Sequence, residues 1–228
     1  KIKKATIVIH DPTELKEPVL EVLKRFKVIT IRETVSKLLK EKYNVNNTFL
    51  HHPFYEFYPK KITAPKTKAL ALSRVDFDKH TDMIIEANNL NRSGMNVEIY
   101  GALNDLYVYH KLRHTNFKKY YKGKFPKEFT ALVELLEPCK FLVDMSAIKG
   151  DGGGSQYTFL EAIHMNCALI LNKKWVANVK TPFKHGVNCF VVETPEELAQ
   201  ILKKNPDTKN IVKHARKMLL PHVLGKGW

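Results

Sequence analysis

Short apolar runs rich in β-branched residues alternate with amphipathic helical stretches along most of this chain, and no other feature restricts its fold as strongly. The pattern predicts strands over residues 5–9, 28–31, 48–50, 69–73, 97–100, 141–144, 168–171 and 189–192. It predicts helices over residues 32–43, 78–90, 105–113, 126–136, 155–166, 196–203 and 209–220. Strand–helix repeats of this kind predict an α/β fold: a Rossmann-like parallel sheet with helices on both faces.

Two helix starts near the end of the chain carry capping signals. Thr194, Pro195 and Glu197 form the pattern of a capping box at the start of the helix over residues 196–203. Thr208 is a candidate N-cap for the last predicted helix. These side chains are expected to accept hydrogen bonds from the free N–H groups of the first helical turn.

A stretch with three prolines divides the chain into two units. Pro53, Pro59 and Pro65 are spread over residues 52–68, which show neither a helical nor a strand period. Prolines with this spacing exclude a helix interior, so we interpret the stretch as a linker. Parallel sheets bind ligands at the carboxyl ends of their strands, where free N–H groups of the following helices attract anions.

The charge of the chain favours an anionic partner. Its formal net charge is +15, from 38 Lys and Arg residues against 23 Asp and Glu residues. A balance this basic suits nucleic acid, acidic lipid or a ligand that carries phosphates. Charge alone does not choose among these partners, because most single lysines on a protein are simply solvated.

Cysteine usage and hydropathy together predict a cytoplasmic protein. Cys139, Cys167 and Cys189 are odd in number and far apart, so they form neither a disulfide framework nor a metal-ligand pattern. No run reaches the roughly 20 apolar residues that span a bilayer. The apolar run over residues 5–9 is also too short for a signal peptide. We therefore expect reduced cysteines in the core.

The most informative segment is KGDGGGSQYTFLEA, residues 149–162, which lies between a predicted strand and a predicted helix. Gly152, Gly153 and Gly154 allow the backbone to approach a ligand closely. Ser155 is a candidate N-cap, and backbone amides at such a helix start suit a phosphate group. A carboxylate at Glu161 can accept hydrogen bonds from two ribose hydroxyls. The alternative interpretation is a glycine turn followed by a solvated Glu161.

Three segments together resemble one protein family. SRVDFDKH, at residues 73–80, resembles the Gly-Arg-Leu…Glu-Lys-Gly segment of group 1 retaining glycosyltransferases of the GT-B fold. LEAIHMNCAL, at residues 160–169, resembles the end of their Glu-x7-Glu region. HGVNCFVV, at residues 185–192 and followed by EELA, resembles their last donor-domain motif. The order and spacing of the three segments match over roughly residues 66–205.

The resemblance implies two domains. Residues 1–60 would be the end of the N-terminal, acceptor-side domain together with the linker, and residues 61–228 would be the nucleotide-sugar donor-binding domain. Most of the family's N-terminal domain has no counterpart in the sequence. The chain is therefore interpreted as a fragment of a glycosyltransferase of the hexosyltransferase type, and the fragment alone is not expected to be a complete enzyme.

The resemblance also implies roles for individual residues. Arg74 and Lys79 take the positions that contact the donor diphosphate, where fixed cations stabilise the charge left on the departing nucleotide. Glu161 takes the position that holds the ribose. No divalent metal or other cofactor is expected, and the acceptor hydroxyl stays open between glycan, lipid and protein, with peripheral membrane contact as a further partner. The other implied donor-binding residues are Gly152, Gly153, Gly154, Ser155, Gln156, Tyr157 and Thr158.

One position departs from the family pattern. Counting back from Glu161 places Gly153, rather than a glutamate, at the first acidic position of the motif, and the nearest acid is Asp151. Either Asp151 supplies the carboxylate that meets the sugar, or that role is lost. The second outcome leaves a nucleotide-sugar-binding protein without transfer activity, or an epimerase-like enzyme.

A basic and aromatic stretch supports the alternative hypothesis that the chain binds nucleic acid. FKKYYKGKFPK, at residues 117–127, mixes lysines with rings, as single-stranded nucleic-acid sites do. In the resembled family this position holds a strand and turn near the nucleotide base, so Lys122, with Gly101 at the end of the preceding strand, is included among the donor-binding candidates. The remaining interpretation is an edge strand protected by lysines. His51 and His52 have no suitably spaced partner for a metal.

Overall fold

The computed structural model describes residues 5–11, 15–54, 62–126, 128–147, 157–178 and 181–222. These residues form two parallel sheets, one of three strands and one of six. The gaps between the described ranges include residues 148–156, so the predicted roles of Asp151, Gly152, Gly153, Gly154, Ser155 and Gln156 lie outside the described residues.

The smaller sheet is built from the first part of the chain. Its strands are β1 (Thr6–Ile9), β2 (Lys27–Thr30) and β3 (Thr48–Phe49), in that spatial order and all parallel. Helix α1 (Glu17–Leu23) and helix α2 (Glu33–Tyr43) connect them. Leu23, Val35 and Leu39 are among the residues that form the separate core of this unit.

The larger sheet has six parallel strands in the order β6-β5-β4-β7-β8-β9. Its central strands are continuous apolar runs, because helices cover both faces of the sheet. Alternate residues therefore enter different cores: Ala69 and Ala71 belong to one cluster, and Leu70 and Leu72 to the other. The strands are β4 (Lys68–Leu72), β5 (Val97–Tyr100), β6 (Tyr121–Gly123), β7 (Cys139–Asp144), β8 (Ala168–Asn172) and β9 (Phe190–Val192).

Helices between these strands complete the two faces. On one side α3 packs beside α9, and on the other α7 packs beside α10. The α-helices are α3 (Thr81–Leu90), α4 (Asp105–Tyr107, continued by a π-helical turn over Val108–Leu112), α5 (Phe117–Tyr120), α6 (Phe129–Leu136), α7 (Tyr157–His164), α8 (Lys173–Asn178), α9 (Pro195–Lys204) and α10 (Lys209–Arg216).

The strand order fixes where a ligand site would form. The chain runs outward from β4 through β5 to β6, then returns to place β7 on the other side of β4. This reversal opens a crevice beyond the carboxyl ends of β4 and β7, which is the position where open α/β sheets bind ligands. The loops that leave β4 and β7 therefore carry the candidate site.

The alternation of strands and helices is confirmed, with corrections at the ends of elements. The last predicted helix, residues 209–220, is α-helical only to Arg216 and continues as a 3₁₀ helix over Lys217–His222, which contains Pro221. Thr208 makes no side-chain capping bond. The helix predicted over residues 155–166 is described from Tyr157 to His164, and Asn166 then adopts a left-handed φ of 59°.

The predicted capping box is half present. Thr194 Oγ1 accepts a hydrogen bond from the N–H of Glu197 at 3.3 Å, as the sequence indicates. The Glu197 carboxylate, however, accepts from the N–H of Glu193 at 2.6 Å rather than from that of Thr194. The reciprocal bond is thus displaced by one residue, and it also ties the helix start to the end of β9.

Three helices have no counterpart in the sequence prediction. They are α1, α5 and α8, of seven, four and six residues. Helices this short give too few turns for a helical period to emerge from the sequence. Among the described residues, no helix combines the length and the apolar character that a membrane crossing requires.

Candidate functional site

The loop after β4 brings Arg74 to the carboxyl edge of the sheet. Its guanidinium lies 3.1 Å from a carboxylate oxygen of Asp76 and 4.0 Å from one of Asp78, and 64% of its side chain is exposed. Asp76 itself is fixed, because it accepts hydrogen bonds from the N–H of Phe77 and from the side-chain amide of Asn104. The aspartate thus holds Arg74 at the edge while leaving most of the guanidinium open to solvent.

Lys79 closes the 3₁₀ helix Phe77–Lys79 and is buried, which is rare for lysine. Its Nζ donates to Ser146 Oγ at 2.9 Å and lies 3.3 Å from a carboxylate oxygen of Asp78. The N–H of Ala147 donates to the backbone carbonyl of Asp78 at 3.0 Å. The loop after β4 is therefore joined to the loop after β7 through both side chain and backbone.

The loop after β7 begins with polar residues that the sequence reasoning missed. Asp144 is buried and accepts from the N–H of Ser146 at 2.8 Å. Asn172, at the end of β8, donates to the carbonyl of Met145 at 3.1 Å. Ser146 could have been found from one signal, since it follows a strongly apolar strand at its carboxyl end. These bonds fix the backbone immediately before the glycine-rich segment.

Helix α7 follows the glycine-rich segment and carries Tyr157, Thr158 and Glu161. Glu161 is only 7% exposed, so the alternative of a solvated glutamate is wrong. Tyr157 and Thr158 are half-buried in the first turn. Glu161 is thus a buried carboxylate in the second turn of the helix that follows β7.

Gly101 is required by close packing at the same edge of the sheet. A Cβ atom at this position would come within 1.8 Å of the Ser73 carbonyl oxygen. The Gly101 N–H donates to the carbonyl of Gly123, and its own carbonyl accepts from the hydroxyl of Tyr121. Gly101 thus lets the end of β5 lie against the loop that carries Arg74.

Lys122 lies elsewhere. It belongs to β6, an edge strand of the larger sheet, and it is exposed. With Lys119 and Lys68 it lines a cavity of about 340 Å³ at the amino ends of β4 and β5. The structure therefore does not bring Lys122 together with Arg74 and Lys79.

Histidines that follow strands of the smaller sheet meet a histidine from the end of the described chain next to α7, and sequence reasoning did not predict this group. His52 lies 5.0 Å from the ring of Tyr157 and 6.5 Å from that of His10, which follows β1. His222, at the end of the described chain, lies 5.1 Å from His51, and its Nδ1 donates to the carbonyl of His52 at 2.8 Å. His10 and His51 follow parallel strands of one sheet, and the carboxyl-end rule could have indicated them.

Burial controls the titration of two of these histidines. It lowers the pKa of His52 from the usual range, and the charge on His10 lowers it further, against a hydrogen bond to the carbonyl of Pro53. Burial also lowers the pKa of His222, and the hydrogen bond to His52 opposes this effect only in part. Both imidazoles are therefore favoured in the neutral form that carries a proton on Nδ1.

Neither the histidines nor the cysteines form a metal site in the part of the chain that the structure describes, since no group of three His, Cys, Asp or Glu side chains there could hold an ion. Cys139, Cys167 and Cys189 are free thiols and buried, as the sequence predicts. Burial raises the pKa of the Cys189 thiol to about 12 and that of Cys139 well above its ordinary value. The Cys139 and Cys189 thiols are therefore packing residues rather than nucleophiles.

Together, these groups suit an anion held in the crevice. Arg74 and Lys79 present donors from one side, and α7 begins on the other. The exposed pair between Arg74 and Asp76 is worth about 0.2–1 kcal/mol, so Arg74 can exchange its aspartate for a ligand at little cost. Lys79 is already positioned by Ser146 and keeps a donor proton beyond its two contacts.

No protein-family model matches the sequence, and no curated protein matches it either. Solved structures do match the fold. The pneumococcal O-GlcNAc transferase GtfA, in complex with UDP and GlcNAc, matches 96% of the chain with a TM-score of 0.65 at 13% identity. Anabaena HepE, in complex with UDP and glucose, matches 96% with a TM-score of 0.64 at 16% identity.

The matches cover only part of the larger proteins. The chain spans 49% of the GtfA chain and 67% of the HepE chain. A C-terminal domain of a glycosyl transferase group 1 family protein, LpcC from Francisella tularensis, matches 74% of this chain and is itself covered to 93%, with a TM-score of 0.52 and 17% identity. The chain thus has an α/β fold with parallel sheets flanked by helices, of the kind found in GT-B glycosyltransferase domains.

Proposed function

We propose that this chain is the donor-binding part of a glycosyltransferase that moves a hexose from a nucleoside-diphosphate sugar to an acceptor hydroxyl with retention of configuration. The fold and the resemblance of three sequence segments both point to this class of enzyme. UDP is the first nucleotide to consider, because the GtfA and HepE structures each hold it.

The observation that carries the proposal is the position of Lys79. Its ammonium group is buried at the reversal of strand order and held by Ser146 from the neighbouring loop. Burying a lysine is costly unless charged partners offset it, and Asp78, 3.3 Å away, is one such partner that leaves a donor proton of Lys79 for a second, anionic one. A diphosphate in the crevice would be such a partner, since it can accept the remaining donor proton of Lys79 and the free guanidinium donors of Arg74.

Positive charge at this point has a chemical use. When the bond between sugar and diphosphate breaks, negative charge accumulates on the departing phosphate oxygen. Fixed cations stabilise that charge in the transition state more than in the bound substrate, which is what accelerates the reaction. Arg74 and Lys79 would supply this stabilisation, so the proposal includes no divalent metal.

Glu161 is proposed to bind the ribose of the donor. Its burial on α7 excludes a purely solvated role and gives the carboxylate a low-dielectric surrounding in which hydrogen bonds to hydroxyls are strong. Asp151 and the adjacent glycines would contact the sugar and the phosphates. The acceptor class stays open, and the cytoplasm is the proposed compartment because free thiols suit reducing conditions.

Thermal unfolding against a panel of nucleotides tests the proposal. We expect UDP, GDP, ADP or CMP, or one of their sugar adducts, to raise the melting temperature, since a ligand that binds only the folded state stabilises it. The shift should disappear in Glu161→Ala, measured against the melting temperature of that variant alone. It should persist in Glu86→Gln, a change of an exposed carboxylate on α3.

Two results would count against the proposal. If no nucleotide raised the melting temperature, the proposed donor site would be contradicted. Equal increases of the melting temperature in Glu161→Ala and in the unmodified chain would show that the nucleotide binds somewhere other than this crevice. If oligonucleotides then bound with an affinity that fell steeply with salt concentration, the hypothesis that the basic surface binds nucleic acid would replace the proposal of a donor site.

A further inference from the structure

A second cavity lies at the opposite edge of the larger sheet from the proposed donor site. Its volume is about 570 Å³, and its lining includes Lys66, Lys209, Lys213 and Arg216; among the residues that the structure describes, no acidic side chain lines it. Lys66 immediately precedes β4, and the cavity also borders Asn166, which immediately precedes β8. The amino ends of the strands, rather than their carboxyl ends, therefore border this basic groove.

Two of the four cations are held in place by helix ends. Lys66 Nζ donates to the carbonyl of Leu136 at 3.2 Å and to that of Met165 at 2.5 Å. Arg216 Nη1 donates to the carbonyl of His164 and to the side chain of Asn166, both at 2.8 Å. Lys66 Nζ also contacts Cys167 Sγ at 4.0 Å, so its three donors are engaged and it contributes charge, whereas Arg216 keeps unused guanidinium donors. Their positions are thus fixed before any ligand binds.

The other two cations, Lys209 and Lys213, are not held by helix ends in this way. Lys209 and Lys213 are exposed, and within the described residues no ion pair is recorded for either side chain. They lie one helical turn apart on α10, with Arg216 on the same face, so all three point along one stripe. The nearest acids are outside the lining: Asp207 accepts from the N–H of Lys209, and Glu137 accepts from the N–H groups of Thr63 and Ala64.

The basic groove differs in charge from the smaller cavity at the amino ends of β4 and β5. The smaller cavity lined by Lys68, Lys119 and Lys122 also contains Glu98, whose carboxylate lies 3.8 Å from Lys68 Nζ. No carboxylate from the described ranges of the chain lines the basic groove, although Glu137, outside the lining, interacts with the charge of Lys66. A group of like charges around a concave surface raises the local concentration of anions.

We propose that the basic groove binds a phosphate group of a ligand other than the sugar donor, carried by a soluble phosphate ester or by the headgroup of an anionic lipid. A phosphate bears up to two negative charges and three acceptor oxygens, which match the fixed charge of Lys66, the remaining guanidinium donors of Arg216 and the exposed ammonium groups of Lys209 and Lys213. Ile62 and Val212 in the lining add an apolar contact for the carrier of the phosphate. The site does not depend on the proposed transferase activity.

The test compares two double variants of the full chain. Lys209→Gln/Lys213→Gln removes the two free cations of the basic groove, and Lys40→Gln/Lys42→Gln removes two exposed lysines of α2 in the smaller unit, so that net charge is equal. Binding of pyrophosphate is measured by calorimetry. Binding to phosphatidylcholine vesicles with and without phosphatidylglycerol is measured by co-sedimentation.

We expect a loss of about tenfold or more in the groove variant for at least one probe and little change in the control variant, because hydrogen bonds to charged groups are each worth roughly that factor. A loss with pyrophosphate alone assigns a soluble ester, and a loss with anionic vesicles assigns a lipid headgroup. Equal binding by both variants to both probes would overturn the proposal. A loss seen only with a single-stranded oligonucleotide would also overturn it, in favour of nucleic acid.

Discussion

Lys79 joins the loops after β4 and β7, because its ammonium group donates to Ser146 where the strand order reverses. The resembled motif indicated its position, but its burial and its bond to Ser146 depend on a strand that comes 60 residues later. Such a contact is set by the return of the chain to β7, which local sequence does not encode. Ser146 was missed for the same reason.

Gly101 was a candidate for ligand binding, and the structure gives it a packing role as well. We predict that Gly101→Ala lowers the free energy of unfolding by about 1–3 kcal/mol, because its Cβ would meet a backbone oxygen that cannot rotate away. Urea titration measures the loss.

Gly94→Ala is the matched change for this prediction. The atoms nearest to its added Cβ belong to the side-chain amide of Asn91, which would have to give up its hydrogen bond to the Met95 carbonyl but is not backbone, so a smaller loss is expected. If Gly101→Ala proved as stable as the unmodified chain, the close approach of β5 to the loop after β4 would be contradicted.

At the scale of elements, the sequence predicted long periodic helices and buried strands well and short helices poorly. The helix predicted at residues 196–203 is observed as Pro195–Lys204, because its cap, its proline and its apolar face all agree. Helix α1 has only seven residues, so its formation depends on the tertiary packing of Leu20 and Leu23. The last helix tightens to a 3₁₀ form after Arg216 and ends with Pro221 inside it.

Two threonines that the sequence treats alike differ in the structure. Thr194 Oγ1 accepts from the N–H of Glu197, whereas Thr208 makes no side-chain cap. We predict that Thr194→Ala costs about 1 kcal/mol of stability, or about 2–4 °C in melting temperature. Thr208→Ala should change the melting temperature much less. Equal decreases of the melting temperature in the two variants would show that the hydrogen bond of Thr194 does not stabilise the helix.

At the scale of the whole molecule, the two sheets are joined through the segment after β3. Phe54 is buried in a core of the larger unit, and its N–H donates to the carbonyl of His222 at 2.7 Å. The sequence predicted a linker over residues 52–68, of which residues 52–54 and 62–68 are described. Residues 52–54 form a packed contact beside His51, and Lys68 already belongs to β4, so the predicted end of the linker is wrong. The assignment of residues 1–60 and 61–228 to two domains of a transferase stays a prediction.

This contact should weaken in acid. The pKa values of His52 and His222 are lowered in the folded state, so below the usual histidine pKa the unfolded chain binds more protons than the folded chain. Stability is therefore fully present above pH 6.5 and falls as the pH decreases from there toward the folded-state pKa values.

We predict that His222→Asn reduces this loss of melting temperature between pH 7 and pH 5, because an asparagine amide can donate to the His52 carbonyl without titrating. His114→Asn, at an exposed position, serves as the control and should retain the full loss. A pH profile of His222→Asn that coincides with that of the unmodified chain would exclude the role of this contact.

The proposed binding of a nucleoside diphosphate in the crevice between β4 and β7 depends most on Lys79. The most direct measurement is a calorimetric titration of UDP into the unmodified chain, into Lys79→Met and into Lys37→Met, whose lysine lies 3.4 Å from Glu33 on α2. We predict that Lys79→Met lowers the affinity for UDP about tenfold or more, because a hydrogen bond to a charged group is lost, and that Lys37→Met leaves it unchanged. Equal affinity of all three proteins for UDP would contradict the claim.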